Sequence, residues 1–333
     1  RADRTVSQFV KAHIKDPFLQ KAFSIHPLLV GGNPYSTTSI YSLIHYLEKK
    51  WGIFFCKGGT GKLVEELTSL MERNGIVIKY ETDIERLEDD GKRVTSAYTR
   101  SGKIINFDNV ICNADPAVVY TELLKLNKER SMGLKKWLPS SFTNYSMGLF
   151  VLFFGTTIKY KNVAHHTIWL TERFKDLLHD IFDKKILTDD FSLYIHRPTA
   201  TDPSFAPRNS DSFYVLCPVP NLQTKINWDV EGTKLRDRIV TALSATILPK
   251  LESHITAENW MSPADFKERY RCAYGAGFSI SPNLTQSAWF RYHNVDSRLQ
   301  NLYFVGAGTH PGAGLPGVLS SAKVAETLLK NGS

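Results

Sequence analysis

Between residues 306 and 317 the chain reads Gly306-Ala-Gly308-Thr-His-Pro-Gly312-Ala-Gly314-Leu-Pro-Gly317, five glycines in one short stretch. Few folds have a use for such a run. Residues 302–305 before it are apolar, aromatic and branched, as in a buried strand. From Val318 onward there is no further proline and no glycine until Gly332, and good helix formers dominate. Strand, glycine turn and helix in that order let backbone N–H groups approach an anionic ligand at a helix N-terminus. Gly312-Ala-Gly314-Leu-Pro-Gly317 also matches G-x-G-x-x-G. That fingerprint normally opens a βαβ unit with an acidic residue about 20 positions on. The expectation here is different: the last strand and helix of a nucleotide-binding sheet. A glycine-rich turn without a ligand is the alternative, and the local pattern leaves both open.

The remaining composition is that of a folded protein of 333 residues, 42% hydrophobic and 22% charged, with room for one large domain or two ordinary ones. Cys56, Cys112, Cys217 and Cys272 are scattered, so free thiols are expected rather than a disulfide framework or a zinc site. No apolar run approaches the ~18–20 residues needed to span a bilayer. The net charge of +8 suits a solvated basic face or an anionic membrane surface. No nucleic-acid motif accompanies it, and no nucleic-acid partner is expected.

The periodicity predicts a helix over 6–23 interrupted at Asp16-Pro17, and a second one capped by Thr37, Thr38 or Ser39 with Ile40, Leu43, Ile44 and Leu47 on one face. Lys57-Gly-Gly-Thr-Gly-Lys62 resembles a phosphate loop only superficially, since Cys56 and Leu63 occupy decisive positions. It should instead lead into a helix with Leu63, Val64, Leu67, Leu70 and Met71 on one face, closed at Asn74-Gly75. A strand over 76–79, a hairpin of 83–88 and 93–99 about Asp89-Asp90-Gly91, and a strand over 109–112 follow. Residues 117–282 change character. Helices are expected at 118–126 and 128–137, strands at 145–154, 191–196 and 212–217, and a long helix at 233–248. Weak alternation and frequent aromatics suggest a mixed sheet beside a large apolar cavity.

Chemistry-bearing clusters are sparse. His165-His166 is the sole histidine pair, and without a further ligand in sequence reach no metal site is expected. No G-x-S-x-G elbow and no Cys–His pairing is present. Such sparseness suits a reaction in which a cofactor performs the hard step.

Val305-Gly-Ala-Gly-Thr-His-Pro-Gly-Ala-Gly-Leu-Pro-Gly-Val318 resembles the C-terminal FAD signature of the bacterial-type phytoene desaturases, members of the amine-oxidase-like flavoproteins. Leu29-Val-Gly-Gly-Asn-Pro-Tyr35, Ser39-Ile-Tyr-Ser-Leu-Ile-His45, Lys57-Gly-Gly-Thr-Gly-Lys-Leu63 and Leu284-Thr-Gln-Ser-Ala-Trp-Phe-Arg291 fit the same family. The similarity runs over essentially the whole chain.

The resemblance implies an α/β, two-domain FAD-dependent oxidoreductase with an α+β substrate part. Residues 51–116 and 283–333 would form a discontinuous FAD-binding domain, and 1–50 with 117–282 the substrate-binding domain. Family members begin with a glycine-rich βαβ that grips the ADP part of FAD. Nothing like it precedes Arg1, so the chain is expected to be the C-terminal two-thirds of a longer protein. The implied cofactor contacts are Ile84, Ala114, Gly306, Ala307, Gly308, Gly314, Gly317 and Val318, with no metal. Gly317-Val318 would open the terminal helix toward the flavin, and Ser320, Ser321, Ala322 and Ala325 would let it pack closely. Ala307 stands where many amine-oxidase relatives carry an acid. His310 is the candidate catalytic residue, a proton acceptor or else a strut against Pro311. Trp289, Phe290 and Tyr292 would line a tunnel or belong to the core. The implied reaction is hydride transfer from an allylic C–H of phytoene to flavin, towards neurosporene or lycopene. A carotenoid isomerase or amine oxidase on the same fold, or a non-catalytic carrier of an apolar ligand, are the alternatives. Implied partners are the polyene, a membrane surface touched peripherally from the cytoplasm, and quinone or oxygen as electron acceptor.

Overall fold

The computed structural model describes residues 2–124 and 143–332. The helix expected over 128–137 lies outside them. Ten strands lie among the described residues: β1 (Ile84–Asp89), β2 (Val94–Thr99), β3 (Ile104–Asn106), β4 (Val110–Cys112), β5 (Gly148–Thr156), β6 (His166–Trp169), β7 (Leu193–His196), β8 (Asp211–Val219), β9 (Ile255–Met261) and β10 (Leu302–Phe304). They belong to two compact units, the first made of Arg1–Leu47, Tyr80–Met147 and Phe266–Ser333, the second of Glu48–Lys79 and Gly148–Asp265.

In the first unit β1 and β2 form the expected antiparallel hairpin, extended by β3. Asp90 closes its turn by accepting the amides of Lys92 and Arg93 at 2.8 and 2.7 Å. Strands β4 and β10 pair in parallel, with Leu302 opposite Val110 and Phe304 opposite Cys112. All three residues of β10 are buried, as an apolar run should be. Leu87, Val94, Val119, Leu302 and Phe304 share one apolar cluster. Asn301 ties the two sheets together: its side chain accepts the Val94 amide and donates to the carbonyls of Val94 and Asp108, all within 2.9 Å. The break near Asp16 is also real. Val6–His13 ends before it, and Asp16 caps Pro17–Ser24 by accepting the Leu19 amide. Thr38 caps a short 3-10 turn, Ser39–Ser42, and Ile40 in it is 46% exposed, so the expected apolar face is not a buried core face.

The second unit is built on the sheet β6-β7-β8-β5-β9. Every neighbouring pair is antiparallel, which corrects the expected mixed sheet. Along β8 buried and half-buried residues alternate, so a single face is fully covered, the arrangement antiparallel sheets allow. The cover is the helix Trp228–Ala245, whose Trp228, Leu235, Ile239 and Leu243 pack on Phe150, Leu152, Ile195 and Val215. That helix starts five residues before the expected position because Asn227 caps it, accepting the Asp229 amide. Strands β6 and β9 were not expected. Conversely, 76–79 joins no ladder; Ile76 and Val77 are 51% and 78% exposed, so strand propensity without a partner strand has not produced a strand.

The two units divide the chain differently from the expected domains. Residues 51–79 join the second unit, and 1–47, 117–147 and 266–282 join the first. Local packing explains the first of these shifts. The Gly58 amide donates to Asp202 at 3.2 Å, and a Cβ on Gly59 would lie 2.8 Å from the Phe205 ring.

Candidate functional site

The glycine stretch begins where β10 stops. Val305 still donates to the Cys112 carbonyl at 2.9 Å, and Gly306 then turns the chain at φ 102°. A side chain there would be strained and would also meet Asn113 Oδ1 at 2.4 Å. The Gly306 amide donates to Ser321 Oγ at 2.8 Å, and Ser321 donates onward to the Val318 carbonyl. The strand end is thereby fastened to the following helix. Thr309 Oγ1 donates back to the Gly306 carbonyl at 3.0 Å, and the His310–Pro311 peptide is cis.

The terminal helix runs Leu315–Lys330, so it opens two residues earlier than expected. Gly314 is its N-cap, at φ 96°, and Pro316 sits in the first turn where a missing N–H costs nothing. Among the described residues no side chain caps this end. Its first-turn amides and the positive end of the helix dipole therefore remain available to an anionic or electron-rich group. Gly317 lies inside the first turn, where a Cβ would stand 2.5 Å from the Gly312 carbonyl oxygen. Of the small residues expected to permit close packing, Ser321 and Ala325 are buried, whereas Ser320 and Ala322 are exposed.

Gly306, Ala307, Gly308, Gly314, Gly317 and Val318 thus share one turn and helix start. Ala114 follows β4 directly after Asn113, which abuts Gly306, so it lies at the carboxyl ends of the same two parallel strands. Ligands of open α/β sheets bind at such ends. Ile84 stands apart, at the start of β1 in the other sheet, where its carbonyl accepts from Arg271 at 3.0 Å. His310 is held through its backbone: its amide donates to the Tyr292 carbonyl and its own carbonyl accepts from Asn294. Its ring Nδ1 is buried without a hydrogen-bond partner among the described residues. Trp289 and Phe290 are each 65% exposed and do not belong to the core.

Two charged residues beneath the turn escaped sequence reasoning. Arg291 is fully buried and donates to the carbonyls of Ala307, Gln286 and Phe278, fixing the backbone of Ala307 from below. Burial pushes its guanidinium below the usual arginine range. Burial likewise raises the Asp115 carboxyl, against the amides of Ala117 and Ala273 that donate to it. The signals were there, in Asn113-Ala-Asp-Pro116 after a strand and in Arg291 at the end of the run 284–291. Neither residue type announces burial by itself.

The second unit carries a separate cleft of about 690 Å³, walled by Phe55, Phe153, Tyr194, Phe205 and Tyr214, with His166 and His196 facing it. Burial pushes His196 down to about 4 and lowers His165 and His166 in the same direction.

The family of flavin-containing amine oxidoreductases matches residues 2–325. The lycopene-forming phytoene desaturase of a Paracoccus species is 44% identical over 97% of this chain and 64% of its own length. That of Pseudescherichia vulneris is 45% identical over 99% and 66%. The neurosporene-forming enzyme of Rhodobacter capsulatus is 39% identical over 99% and 63%. The chain therefore spans somewhat less than two thirds of the length of these relatives. Among solved structures, an oxidoreductase from Methanosarcina mazei superposes with a TM-score of 0.67 at 16% identity, covering 98% of this chain and 68% of that one. A putrescine oxidase does so with 0.59 at 8%, covering 99% and 68%. These two likenesses concern the fold alone. With a family match over nearly its whole length, the chain belongs to the flavin-containing amine oxidoreductases.

Proposed function

We propose that this chain is the larger part of an FAD-dependent desaturase acting on an acyclic carotenoid precursor, converting phytoene towards neurosporene or lycopene. The observation that carries the reading is 39–45% identity, sustained across the chain, to relatives named phytoene desaturases. The chemistry that a bound flavin would supply is acceptance of a hydride from an allylic C–H of the substrate, with a proton leaving the neighbouring carbon.

The residues of the first unit fit such a group. The glycine turn brings backbone rather than side chains to the site, the terminal helix presents uncapped amides, and His310 Nδ1 is a buried polar atom in want of a partner. Gly306, Ala307, Gly308, Gly314, Gly317 and Val318 would hold the cofactor, joined by Ala114 at the neighbouring strand end and by Ile84 farther off. A helix N-terminus stabilises nearby negative charge by about 0.3–1 kcal/mol when exposed and up to ~2 kcal/mol when partly buried. Arg291 keeps the Ala307 carbonyl in place. His310 is the group in the turn able to take up a proton. Cys272 lies well upstream of the turn, and burial pushes its thiol up to about 11, which favours a non-covalently held cofactor.

The second unit would offer its aromatic surface to the polyene. Among the described residues no helix is long and apolar enough to cross a membrane. Substrate dissolved in lipid and a net charge of +8 favour peripheral attachment at the cytoplasmic surface, with quinone or oxygen taking the electrons. The test uses the complete gene product, purified with its flavin and mixed anaerobically with phytoene in liposomes. Bleaching of the flavin absorbance is expected. Full retention of the oxidised spectrum with phytoene present would contradict the reading.

A further inference from the structure

We propose that His165, His166 and His196 form a three-histidine site for a divalent transition metal of the zinc type. Strand register brings the three together, independently of any flavin chemistry. Strand β6 opens at His166, and β6 pairs antiparallel with β7 so that His166 stands directly opposite His196. Cross-strand partners place their side chains on the same face. His165 precedes the strand, and its carbonyl accepts the Arg197 amide at 2.8 Å. Its ring nonetheless stays beside the other two. It lies 4.4 Å from the His166 ring and 4.6 Å from the His196 ring, centroid to centroid.

One ring nitrogen from each histidine lies within 4.8 Å of the other two. Tetrahedral zinc at 2.0–2.1 Å from nitrogen would need them about 3.4 Å apart, a closure that small side-chain rotations supply. Orienting partners are already in place. His165 Nδ1 pairs with Thr201 Oγ1, and His166 Nδ1 with the Tyr194 hydroxyl at 2.7 Å; His196 Nδ1 lies 3.3 Å from the same hydroxyl. Metal-binding histidines characteristically spend one nitrogen on such an orienting bond, which leaves Nε2 for the metal. His165 Nε2 is buried and has no hydrogen-bond partner among the described residues. A buried nitrogen left over in this way is what a bound ion would explain.

The surroundings suit a borderline cation. Phe55 packs its edge on the His165 ring at 4.6 Å. The charged pair nearest in sequence, Arg197 and Asp211, is buried and satisfied by its own contacts with Val163, Thr199 and Tyr160. Three imidazoles favour zinc, copper or nickel over magnesium or calcium. Because His166 and His196 face the cleft, a fourth position would be open to water or to a small ligand.

The test takes the complete gene product without a histidine tag, strips it with a chelator and titrates it with Co²⁺, then with Zn²⁺. One equivalent of Co²⁺ should give the visible bands of a low-coordinate ion held by three imidazole nitrogens, and Zn²⁺ should abolish them. His165→Ala and His196→Ala should each weaken binding by more than ~100-fold, beyond the ~10–100-fold cost of an outer-shell change such as Tyr194→Phe. His179→Gln, at a histidine paired with Asp183 elsewhere in the unit, should bind normally. Absence of the bands at millimolar Co²⁺, or binding that survives both alanine substitutions, would overturn the proposal. Should an alanine variant fail to fold, the cobalt spectrum of the unaltered protein decides the matter on the same criterion.

Discussion

Ser321 Oγ accepts a hydrogen bond from the Gly306 amide at 2.8 Å, joining the end of β10 to the second turn of the terminal helix. Ser321 is fully buried, so no water replaces the bond if the hydroxyl is removed. Ser321→Ala should lower stability by about 1–3 kcal/mol, the cost of a buried donor left unsatisfied. The measurement is the denaturant midpoint. An unchanged midpoint would show that the amide finds another acceptor.

Gly317 tests how tightly the turn is wound. A Cβ there meets a backbone oxygen, that of Gly312, at 2.5 Å, and backbone cannot rotate aside as a side chain can. Gly317→Leu should abolish flavin retention in the complete gene product, while Ala322→Leu, at an exposed position of the same helix, should keep it. Normal flavin stoichiometry in the Gly317 variant would contradict the proposed placement of the cofactor.

Arg291 supports the turn from beneath. Arg291→Leu removes the donors to three carbonyls at once, and hydrogen bonds involving a charged group contribute about 1.5–3 kcal/mol each. A fall in thermal midpoint of several degrees is expected, with loss of flavin preceding global unfolding. Co-operative loss of both at the original midpoint would argue against a supporting role.

Much of the glycine turn is legible in the residues alone. Five glycines dictate the strand-turn-helix order, because few alternatives accommodate them, and β10 is buried as its apolar run requires. What pattern does not supply is partnership. Strand propensity at 76–79 leads nowhere because no strand among the described residues pairs with it, while β6 and β9 are strands because β7 and β5 pair with them. His165 and His166 look like an isolated pair because their companion, His196, arrives only through antiparallel register. The helix start differs from expectation for a local reason: Gly314, not Gly317, adopts the positive φ that ends the turn.

The histidine group also sets a pH dependence in metal-free protein. His196 is pushed from 6.5 down to about 4, so the folded state prefers the ring neutral. Below pH 6.5 the unfolded chain takes up a proton that the folded one refuses, and stability falls as pH drops from about 6.5 towards 4. His165 and His166 act in the same direction. For a part-buried ring the loss is of order 1 kcal/mol once solvent screening is allowed for. Thermal melts in chelator should show it, and His196→Gln should flatten the profile. A stability that rises on acidification over this window would contradict the assignment.

The proposed membrane attachment should carry an electrostatic part. With a net charge of +8 on the present 333 residues, binding of the complete gene product to liposomes should increase with anionic lipid and be partly released by salt, since the screening length falls from about 10 Å at 0.1 M to about 3 Å at 1 M. Sedimentation with liposomes measures it. Binding indifferent to both salt and lipid charge would remove that part of the account.

Pigment formation reads the proposed reaction most directly. The complete gene product is to be expressed in bacteria that accumulate phytoene, and the extracted pigments separated and identified by their absorption. The account predicts a coloured extract in which phytoene has been replaced by neurosporene or lycopene. A colourless extract containing unchanged phytoene, from cells that hold the soluble, flavin-loaded protein, would contradict it.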